Sequence, residues 1–551
     1  MKPGIFKNKS LFVLICLWLL FTPRINAKIL IEFDPQTQNV RILDAAKGKV
    51  IYESFPGMGY WISSQNSNLC DRSDQRKTLQ PEVIIEVVRD GINLSYTFHN
   101  RGTENTSIGE FYIGKFNLDS TVYWRNTNYT FGEEAFHAKR NILFLSQANI
   151  YPTTSAYSPV TVFRDEDYIV GVSVMYPFME YKHSINQLLA GTFYDNLPSG
   201  WEVVIQANAP CNSQKYQPSG DIRPGETRVY RIALRVKEVD KTNQDWKNVI
   251  HPYKVYFKEH YGGVQYHRDG RPVIGYHGVS DHLQTNDNPY GYWNVEDVAG
   301  GQQHPLRPDK NGFGPTTEYL KKMLAANHSK RIMLWAPTGL YFKHSERNYP
   351  FQFTSQWFET ATDSPSVNTR DLFEDATVHL NDLSKKRTAL GLWWGHSIYV
   401  TKQWDTDAYE MFDPLKSEHW DLSFKELDGA LAAGADMIGL DSYNDLPGWD
   451  QITWLDAMRA RSGSKVKFIS EQYSFDVVHT RAAFFYARWN ITGRHVLADY
   501  LLPGNEKWIF LIPDQMEDLG AYAKQTARWG YNACKMTYLG APYHKLYKAK
   551  K

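Results

Sequence analysis

The fold of this chain is decided by residues 437–471, which read MIGLDSYNDLPGWDQITWLDAMRARSGSKVKFISE. Two short apolar runs in this stretch each end in a carboxylate, Asp441 in the first and Glu471 in the second. Between the runs, apolar side chains recur at helical spacing over residues 449–461. Strand, helix and strand form the repeating unit of a parallel barrel, in which neighbouring units place their strand ends on one rim. The two carboxylates are therefore predicted to meet on that rim.

The same alternation of apolar runs and amphipathic stretches continues from residue 271 onward. The predicted strands are Pro272–Tyr276, Arg331–Ala336, Leu390–Trp394, Met437–Asp441, Val466–Glu471, His495–Asp499, Trp508–Ile512 and Cys534–Tyr538. The predicted helices are Thr316–Ala326, Asp371–Arg387, Phe424–Ala433, Trp449–Arg461, Val477–Trp489 and Glu517–Trp529. Eight strands with interleaved helices predict a (β/α)8 TIM barrel. Only about eight residues separate the sixth and seventh strands, too few for a crossover helix. Either that helix is missing or one of the two strands pairs as a hairpin.

The region before the barrel is rich in short β-branched runs separated by turn residues, which predicts an all-β sandwich. The runs are Lys28–Phe33, Val40–Leu43, Val83–Val88, Asn93–Phe98, Tyr168–Ser173 and Val229–Val236. The chain is therefore predicted to be multidomain, with a signal peptide at 1–27, the sandwich at 28–240, a helical linker at 241–265 and the TIM barrel at 266–551.

The N-terminal segment has the features of a secretory signal. Lys2, Lys7 and Lys9 precede an apolar run of 11 residues, and Ala27 supplies the small residue that signal peptidase requires. The run is too short to span a bilayer comfortably, although an uncleaved anchor stays an alternative. We therefore expect an extracytoplasmic protein, secreted or periplasmic, with no membrane span after signal cleavage.

The charge balance argues against a nucleic-acid partner. Without residues 1–27, which hold four basic residues and no acidic one, 57 basic residues face 60 acidic ones, a formal charge of −3. This balance gives no basic footprint for a nucleic acid. Aromatic residues make up 15% of the chain, a richness that suits stacking on sugars as well as filling cores.

Three cysteines remain after Cys16 is removed with the signal. Oxidising surroundings would allow a disulfide between Cys70 and Cys211, with Cys534 buried in a strand. Three free thiols are the alternative.

Polar or aromatic residues follow nearly every predicted barrel strand, where barrel enzymes place their active sites. The candidate catalytic residues are the carboxylates Asp441, Glu471 and Asp499. The candidate substrate-binding residues are Tyr276, His277, Asp281, Trp335, Trp394, His396, Tyr443, Tyr473 and Asp514. Because the histidines and acids lack the spacings that hold zinc or calcium, neither a metal nor a cofactor is predicted.

Two parts of the chain resemble a known combination of domains. Residues 222–234, IRPGETRVYRIAL, resemble the closing strands of the galactose-mutarotase-like sandwich that precedes many glycosidase barrels. The barrel segments 434–441 and 468–471 resemble two sets of retaining glycosidases. The chain differs from the α-amylases proper at Gly439, where they carry arginine two residues before the nucleophile.

The two sets imply different partners for Asp441. In the α-amylase superfamily and the related endo-α-N-acetylgalactosaminidases, a nucleophilic Asp ends strand four and an acid/base Glu ends strand five, which implies Asp441 and Glu471. In the α-galactosidase and α-glucosidase group the second carboxylate is an Asp on strand six, which implies Asp499. Strand adjacency favours Glu471, since retaining pairs need carboxyls only about 5–5.5 Å apart.

The sequence thus predicts a retaining glycosidase that acts on α-linked neutral sugars of an oligosaccharide or glycoconjugate. The long connection at 278–314, beyond the first strand, predicts a lid and exo-type action. Two other classes stay open. One is a non-catalytic carbohydrate-binding protein with a degenerate barrel. The other is a polysaccharide lyase or epimerase that recruits His277, His396 or Tyr443.

Overall fold

The structure is a computed structural model. It describes residues 28–54, 79, 81–108, 110–118, 122–124, 138–139, 150–152, 156–181, 186–191, 201–207, 221–239, 246–277, 311–335, 369–395, 397–400, 410–441, 443–471, 474–486, 494–511 and 519–536. Within these ranges, no helix is long and apolar enough to cross a membrane. The predicted signal peptide lies outside them.

The first region consists of antiparallel strands. They are β1 (Ile29–Asp34), β2 (Asn39–Asp44), β3 (Lys49–Glu53), β4 (Glu82–Val88), β5 (Gly91–His99), β6 (Thr106–Ser107), β7 (Glu110–Phe116), β8 (Val122–Trp124), β9 (Ala138–Lys139), β10 (Ile150–Tyr151), β11 (Val160–Arg164), β12 (Tyr168–Met175), β13 (Asn186–Gly191), β14 (Trp201–Ala207), β15 (Asp221–Ile222) and β16 (Thr227–Glu238). Seven form a sheet in the order β1-β2-β3-β7-β14-β13-β10, and seven form a second in the order β4-β5-β16-β12-β11-β8-β9. The short strands β15 and β6 pair with each other.

The two sheets pack face to face, which confirms the predicted sandwich. Phe116 of β7 stacks on Phe163 of β11, with ring centroids 5.7 Å apart, so that an aromatic pair joins the two inner faces. Along most of β5, buried residues alternate with part-buried ones. This is the pattern of a strand that turns one face to the core.

Two helices follow the sandwich in the segment predicted as a helical linker, α1 (Trp246–Val249) and α2 (His251–Tyr261). The strand β12 is buried over all but its last residue, because α1 packs against it in addition to the neighbouring strands and sheet. A Cβ atom at Gly171 of β12 would lie 2.6 Å from the carbonyl oxygen of Val249. Glycine therefore permits this close approach of the helix to the strand.

The sandwich and the barrel meet at Asp476, whose side chain is fully buried. Tyr151 of β10 donates its hydroxyl to Asp476 Oδ1 at 2.9 Å, and Tyr253 of α2 donates to Oδ2 at 2.6 Å. The backbone N–H of Asp476 donates to the carbonyl of Tyr157 at 2.8 Å. Burial raises the pKa of Asp476 to about 7, since the charged carboxylate is poorly solvated there.

Eight parallel strands form a closed barrel, as predicted. The barrel strands are β17 (Val273–His277), β18 (Arg331–Trp335), β19 (Ala389–Trp394), β22 (Met437–Leu440), β23 (Lys467–Ser470), β24 (Ala483–Tyr486), β25 (Lys507–Leu511) and β26 (Asn532–Met536). Between β19 and β22, the short strands β20 (Tyr399–Val400) and β21 (Glu410–Met411) pair with each other outside the barrel sheet. The helices of the barrel are α3 (Gly314–Ala326), α4 (Thr369–Lys385), α5 (Ser417–Ala432), α6 (Gly448–Ser462), α7 (Val496–Leu501) and α8 (Leu519–Trp529), and 3₁₀ turns cover Tyr443–Asp445 and Val478–Thr480.

The sequence prediction is wrong for the sixth barrel strand. Residues 477–489, predicted as a helix, contain a 3₁₀ turn and the strand β24, whose four residues AFFY are all buried. A short apolar run has no periodicity that separates a buried strand from a buried helix.

The predicted strand at 495–499 is instead the start of α7. The Nδ1 atom of His495 accepts a hydrogen bond from the backbone N–H of Ala498 at 3.0 Å and so caps the helix. Both explanations offered for the short connection before β25, a missing helix or a hairpin, are therefore wrong, because β24 and β25 pair in parallel across α7.

Cys534 is buried in β26 as a free thiol, in agreement with its predicted place. Cys70 and Cys211 lie outside the described residues, so their disulfide stays a prediction. Most of the predicted lid, residues 278–310, also lies outside them.

Candidate active site

The register of two neighbouring strands brings Asp441 and Glu471 together. The strand β22 pairs in parallel with β23, with Leu440 opposite Ser470. Asp441 and Glu471 directly follow these paired residues, so they leave adjacent strands at the same height. Adjacent strands lie about 4.8 Å apart. Both acids are only partly buried, and they stand side by side at the end of the barrel where the strands finish.

The backbone of Asp441 is held on both sides. Its N–H donates to the carbonyl of Trp394 at 3.1 Å, so it continues the ladder between β19 and β22. Its carbonyl accepts hydrogen bonds from the N–H of Ser397 at 3.1 Å and from the hydroxyl of Ser397 at 3.0 Å. Strand geometry therefore extends through Asp441.

Both acids fall on positions that face the interior of the barrel. Met437 on β22 and Ile469 on β23 belong to the cluster of side chains inside the barrel, whereas their neighbours Ile438 and Phe468 belong to the core outside it. Because side chains alternate along a strand, Asp441 shares the face of Met437 and Glu471 shares the face of Ile469. The strand pattern thus directs the two carboxylates toward one space.

Aromatic rings fill the barrel interior just inside this rim. Trp393 stacks on Trp335 with ring centroids 5.1 Å apart and lies 5.0 Å from Phe485, while Phe510 lies 4.9 Å from Trp335. None of the four side chains is more than 7% exposed. They give the rim an apolar floor from which water is excluded. Trp335 was predicted as a substrate-binding residue. Trp393, Phe485 and Phe510 were missed. Alternation along a strand could have indicated them, because each lies two residues from another inward-facing position.

The ring of Trp393 crosses over Gly439. A Cβ atom at Gly439 would lie 2.1 Å from Cε3 of Trp393, so any larger residue would displace the ring. Glycine at position 439 therefore permits the ring of Trp393 to lie across this strand.

Two aromatic residues predicted to bind substrate face outward instead. Tyr276 on β17 packs against Tyr319 of α3, with ring centroids 6.2 Å apart. Trp394 on β19 packs against Trp454 of α6, at 5.3 Å. Each is one residue out of phase with the inward face of its strand, and both predictions are wrong for that reason.

Tyr443 is also wrongly predicted. It is fully buried in the 3₁₀ turn after β22, and its hydroxyl donates to the backbone carbonyl of Gln451. Burial raises the pKa of Tyr443 well above its ordinary value. These contacts give Tyr443 a structural role and remove it as a base for the lyase or epimerase alternative.

Asp499 lies at the opposite end of the barrel from Asp441. Its Oδ1 atom is 3.0 Å from Nζ of Lys507, the first residue of β25, and its Oδ2 atom accepts a hydrogen bond from the hydroxyl of Tyr531 at 2.9 Å. Tyr531 directly precedes β26. The prediction of Asp499 as an alternative acid/base is therefore wrong, because it rested on a strand that is a helix.

Five further candidates stay predictions. The backbone of His277 ends β17, but its side chain lies outside the described part of the chain. The other four candidates lie entirely outside the described residues: Asp281, His396, Tyr473 and Asp514.

A second set of charged side chains, missed in the sequence, lies inside the end of the barrel where the strands begin. Glu506 is fully buried and accepts hydrogen bonds from Arg331 Nη2 at 2.6 Å, Trp508 Nε1 at 2.6 Å and Asn532 Nδ2 at 2.7 Å. Lys467 donates to its other oxygen. Three of these five residues are charged and stand at or next to the first position of a strand, which is the signal that could have indicated the set.

Among the described residues, no three His, Cys, Asp or Glu side chains are grouped as metal ligands would be. The absence of a metal from the active site stays a prediction.

No protein-family model matches the sequence, and no curated protein matches it. Among solved structures, similarity is found to the alpha-N-acetylgalactosaminidase NagBb from Bifidobacterium bifidum in complex with GalNAc. That structure is 11% identical, with 88% of this chain and 83% of that chain covered and a TM-score of 0.45. The alpha-galactosidase TtGalA from Thermus thermophilus in complex with stachyose is 10% identical, with 86% and 97% covered and a TM-score of 0.40. A beta-arabinopyranosidase is 10% identical, with 83% and 67% covered and a TM-score of 0.36.

Proposed function

We propose that this protein is a retaining glycoside hydrolase in which Asp441 is the nucleophile and Glu471 is the acid/base. The observation that carries the proposal is the register that places both acids on inward positions of adjacent strands, at one height. The spacing of adjacent strands, about 4.8 Å, is close to the 5–5.5 Å carboxyl separation of retaining pairs.

The reaction would proceed in two steps. An oxygen of Asp441 attacks the anomeric carbon as the glycosidic bond breaks, and Glu471 gives its proton to the departing oxygen. This step leaves a covalent ester between the sugar and Asp441. Glu471, now a carboxylate, takes a proton from water, and that water attacks the anomeric carbon and releases Asp441. Two inversions at one carbon give net retention.

The surroundings of the two acids support a neutral sugar as the substrate. The buried rings of Trp335 and Trp393 form an apolar floor just inside the rim, and an uncharged sugar lies beside such a floor at less cost than an ionised group does. Among the residues that end the first seven barrel strands, all of them described, none is lysine or arginine, so these positions supply no cation for a sulfate or carboxylate group. We further propose that the substrate is α-linked and that the protein is extracytoplasmic.

The test is turnover of a panel of aryl α- and β-glycosides by the whole protein and by Asp441→Asn and Glu471→Gln. Asp441→Asn should lose all but a few per cent of activity on every substrate, because no nucleophile remains. Glu471→Gln should lose about 10²–10⁴-fold on a sugar with a basic leaving group. It should lose much less in the first step with a nitrophenyl leaving group, which needs little protonation. Proton NMR of the first product should show the anomer of the substrate.

The matched control is Asp436→Asn, the same substitution at the other end of the same strand. Its activity should equal that of the natural protein. Activity of Asp441→Asn above a few per cent, or an inverted first product, would overturn the assignment. Saturable sugar binding without turnover would instead make the chain a carbohydrate-binding protein, and an unsaturated product absorbing in the ultraviolet would make it a lyase.

A further inference from the structure

A pocket of about 200 Å³ lies between the helical linker and α7, away from the rim. Its walls include Trp246, Lys247, Lys254, Arg494, Asp499 and Tyr500. Because Asp499 contacts the first residue of β25, the pocket belongs to the end of the barrel where the strands begin. The proposed hydrolysis uses none of these residues.

Aromatic rings hold two lysines at this pocket. The Nζ atom of Lys254 lies 4.1 Å from the centroid of the Tyr500 ring, and that of Lys247 lies 5.5 Å from the centroid of the Trp246 ring. The two rings pack edge to face at 5.3 Å, and the hydroxyl of Tyr500 donates to the backbone carbonyl of Lys247 at 2.8 Å. Cation–π contacts of this kind help to fix the position of each ammonium group.

The carboxylate in the wall is already engaged by other groups. Asp499 is 3.0 Å from the buried ammonium of Lys507, accepts the hydroxyl of Tyr531 at 2.9 Å, and is 3.6 Å from Nε of Arg494. Its negative charge is therefore shared between two cations on its own side of the pocket. The lysines of the linker add positive charge to the opposite side.

The electrostatic surroundings of Lys254 are cationic. Burial, followed by the nearby charges of Lys247 and Lys258, lowers the pKa of Lys254. An anion bound in the pocket would favour the charged form of Lys254 and so oppose these effects.

We propose that this pocket binds a small anion of phosphate or sulfate chemistry, held by Lys254, Lys247 and Arg494. Lysine and arginine are the residues that bind such oxyanions in proteins. The volume is below the roughly 300 Å³ at which pockets for larger organic ligands begin, so a single anionic group fits the space better than an extended molecule. The anion is either a free ion or the charged group of a modified sugar.

The test is isothermal titration calorimetry of the full chain with sodium phosphate, sodium sulfate and glucose 6-phosphate, at constant ionic strength set with chloride. We expect saturable binding that is weakened at least tenfold in Lys254→Gln. The matched control is Lys258→Gln, one helical turn further along α2 and exposed, which should bind as the natural protein does. Circular dichroism of both variants checks that the fold is kept.

Absence of saturable binding, or equal weakening by both substitutions, would overturn the proposal. Binding of inorganic phosphate as tight as that of glucose 6-phosphate supports a free anion as the ligand, and binding of the sugar phosphate alone supports a group carried on a sugar. The assay does not measure hydrolysis, so an inactive barrel that binds the anion would refute the proposed function and leave this site standing.

Discussion

The two ends of the barrel use carboxylates in opposite ways. Where the strands begin, Glu506 is fully buried and is bonded by an arginine, a lysine, a tryptophan and an asparagine of the protein itself. Where the strands finish, Asp441 and Glu471 are partly exposed and stand above an apolar floor. A carboxylate with every bonding position filled has no capacity left for a substrate. A partly exposed carboxylate can still be reached by a molecule from solution.

The two ends differ in the free energy that it takes to keep their carboxylates charged. Burying Glu506 and Arg331 removes two charges from water, and their attraction offsets this cost only while both are present. The rim carboxylates are only partly buried, so they give up less contact with water than Glu506 does. We therefore expect substitutions at the first end to change stability, and substitutions at the second to change activity.

The largest effect on stability is expected from Glu506→Gln. The change removes the nearer carboxylate from the buried Arg331 and leaves Asp269, 3.5 Å from its Nη1 atom, as the remaining counter-charge, so it should lower the free energy of unfolding by about 3–5 kcal/mol. Urea unfolding followed by tryptophan fluorescence measures this loss. The fraction that stays folded should hydrolyse substrate at the normal rate, because Glu506 lies at the end away from the rim.

Glu32→Gln is the matched control for this substitution. Glu32 forms an exposed pair with Arg41, so its loss should leave the unfolding midpoint unchanged. A similar midpoint for Glu506→Gln and the natural protein would contradict the structural role of the buried cluster.

A smaller effect is expected at the rim itself, from Gly439→Ala. The new methyl group would lie 2.1 Å from Trp393, whose ring is held by Trp335 and Phe485, so the free energy of unfolding should fall by about 1–3 kcal/mol. Turnover should fall as well, since the floor beneath the two acids shifts. Denaturant unfolding and steady-state kinetics measure the two losses.

A double-mutant cycle tests the cause of that loss. On a Trp393→Leu background, Gly439→Ala should cost much less, because the clashing ring is gone. Gly263→Ala is the control, since nothing lies within 4 Å of a Cβ atom at that position. An equal cost of Gly439→Ala on both backgrounds would show that the ring is not the cause.

The smallest effect is expected in the pH dependence of stability, from Asp436 at the start of β22. Burial raises the pKa of Asp436 to about 6. Between about pH 4 and pH 6 the folded protein therefore holds a proton that the unfolded chain has released, and stability falls as the pH rises through this range. Solvent at the exposed part of the side chain keeps the slope below the one-proton limit of about 1.4 kcal/mol per pH unit.

Asp436→Asn should flatten this slope, and urea midpoints measured from pH 4 to pH 7 will show whether it does. A slope that is the same in both proteins would mean that Asp436 does not carry the proton.

The sequence predicted those parts of the barrel whose signal is local. The strands at Met437–Leu440 and Lys467–Ser470 were found because each is an apolar run that ends in an acid. The strand AFFY was missed because four apolar residues carry no period, and α7 was missed because its cap depends on the ring of His495.

The orientation of side chains was harder to predict than the strands that carry them. Of the adjacent pair Trp393 and Trp394, the second was chosen for the pocket, but the pleat turns the first inward. Only the register of the neighbouring strands decides between them. Glu506 and Arg331 are 175 residues apart, so no local pattern could pair them.

The junction at Asp476 also affects how the chain is made. Tyr151 and Asp476 are separated by 325 residues, and a ribosome adds roughly 5–20 residues each second. On the order of 15–65 s therefore passes between the synthesis of Tyr151 and the synthesis of Asp476. During that interval the tyrosine hydroxyls that Asp476 will accept stay open to water and to chaperones. A nascent chain that stops before residue 476 keeps this face of the sandwich uncovered for the rest of its life.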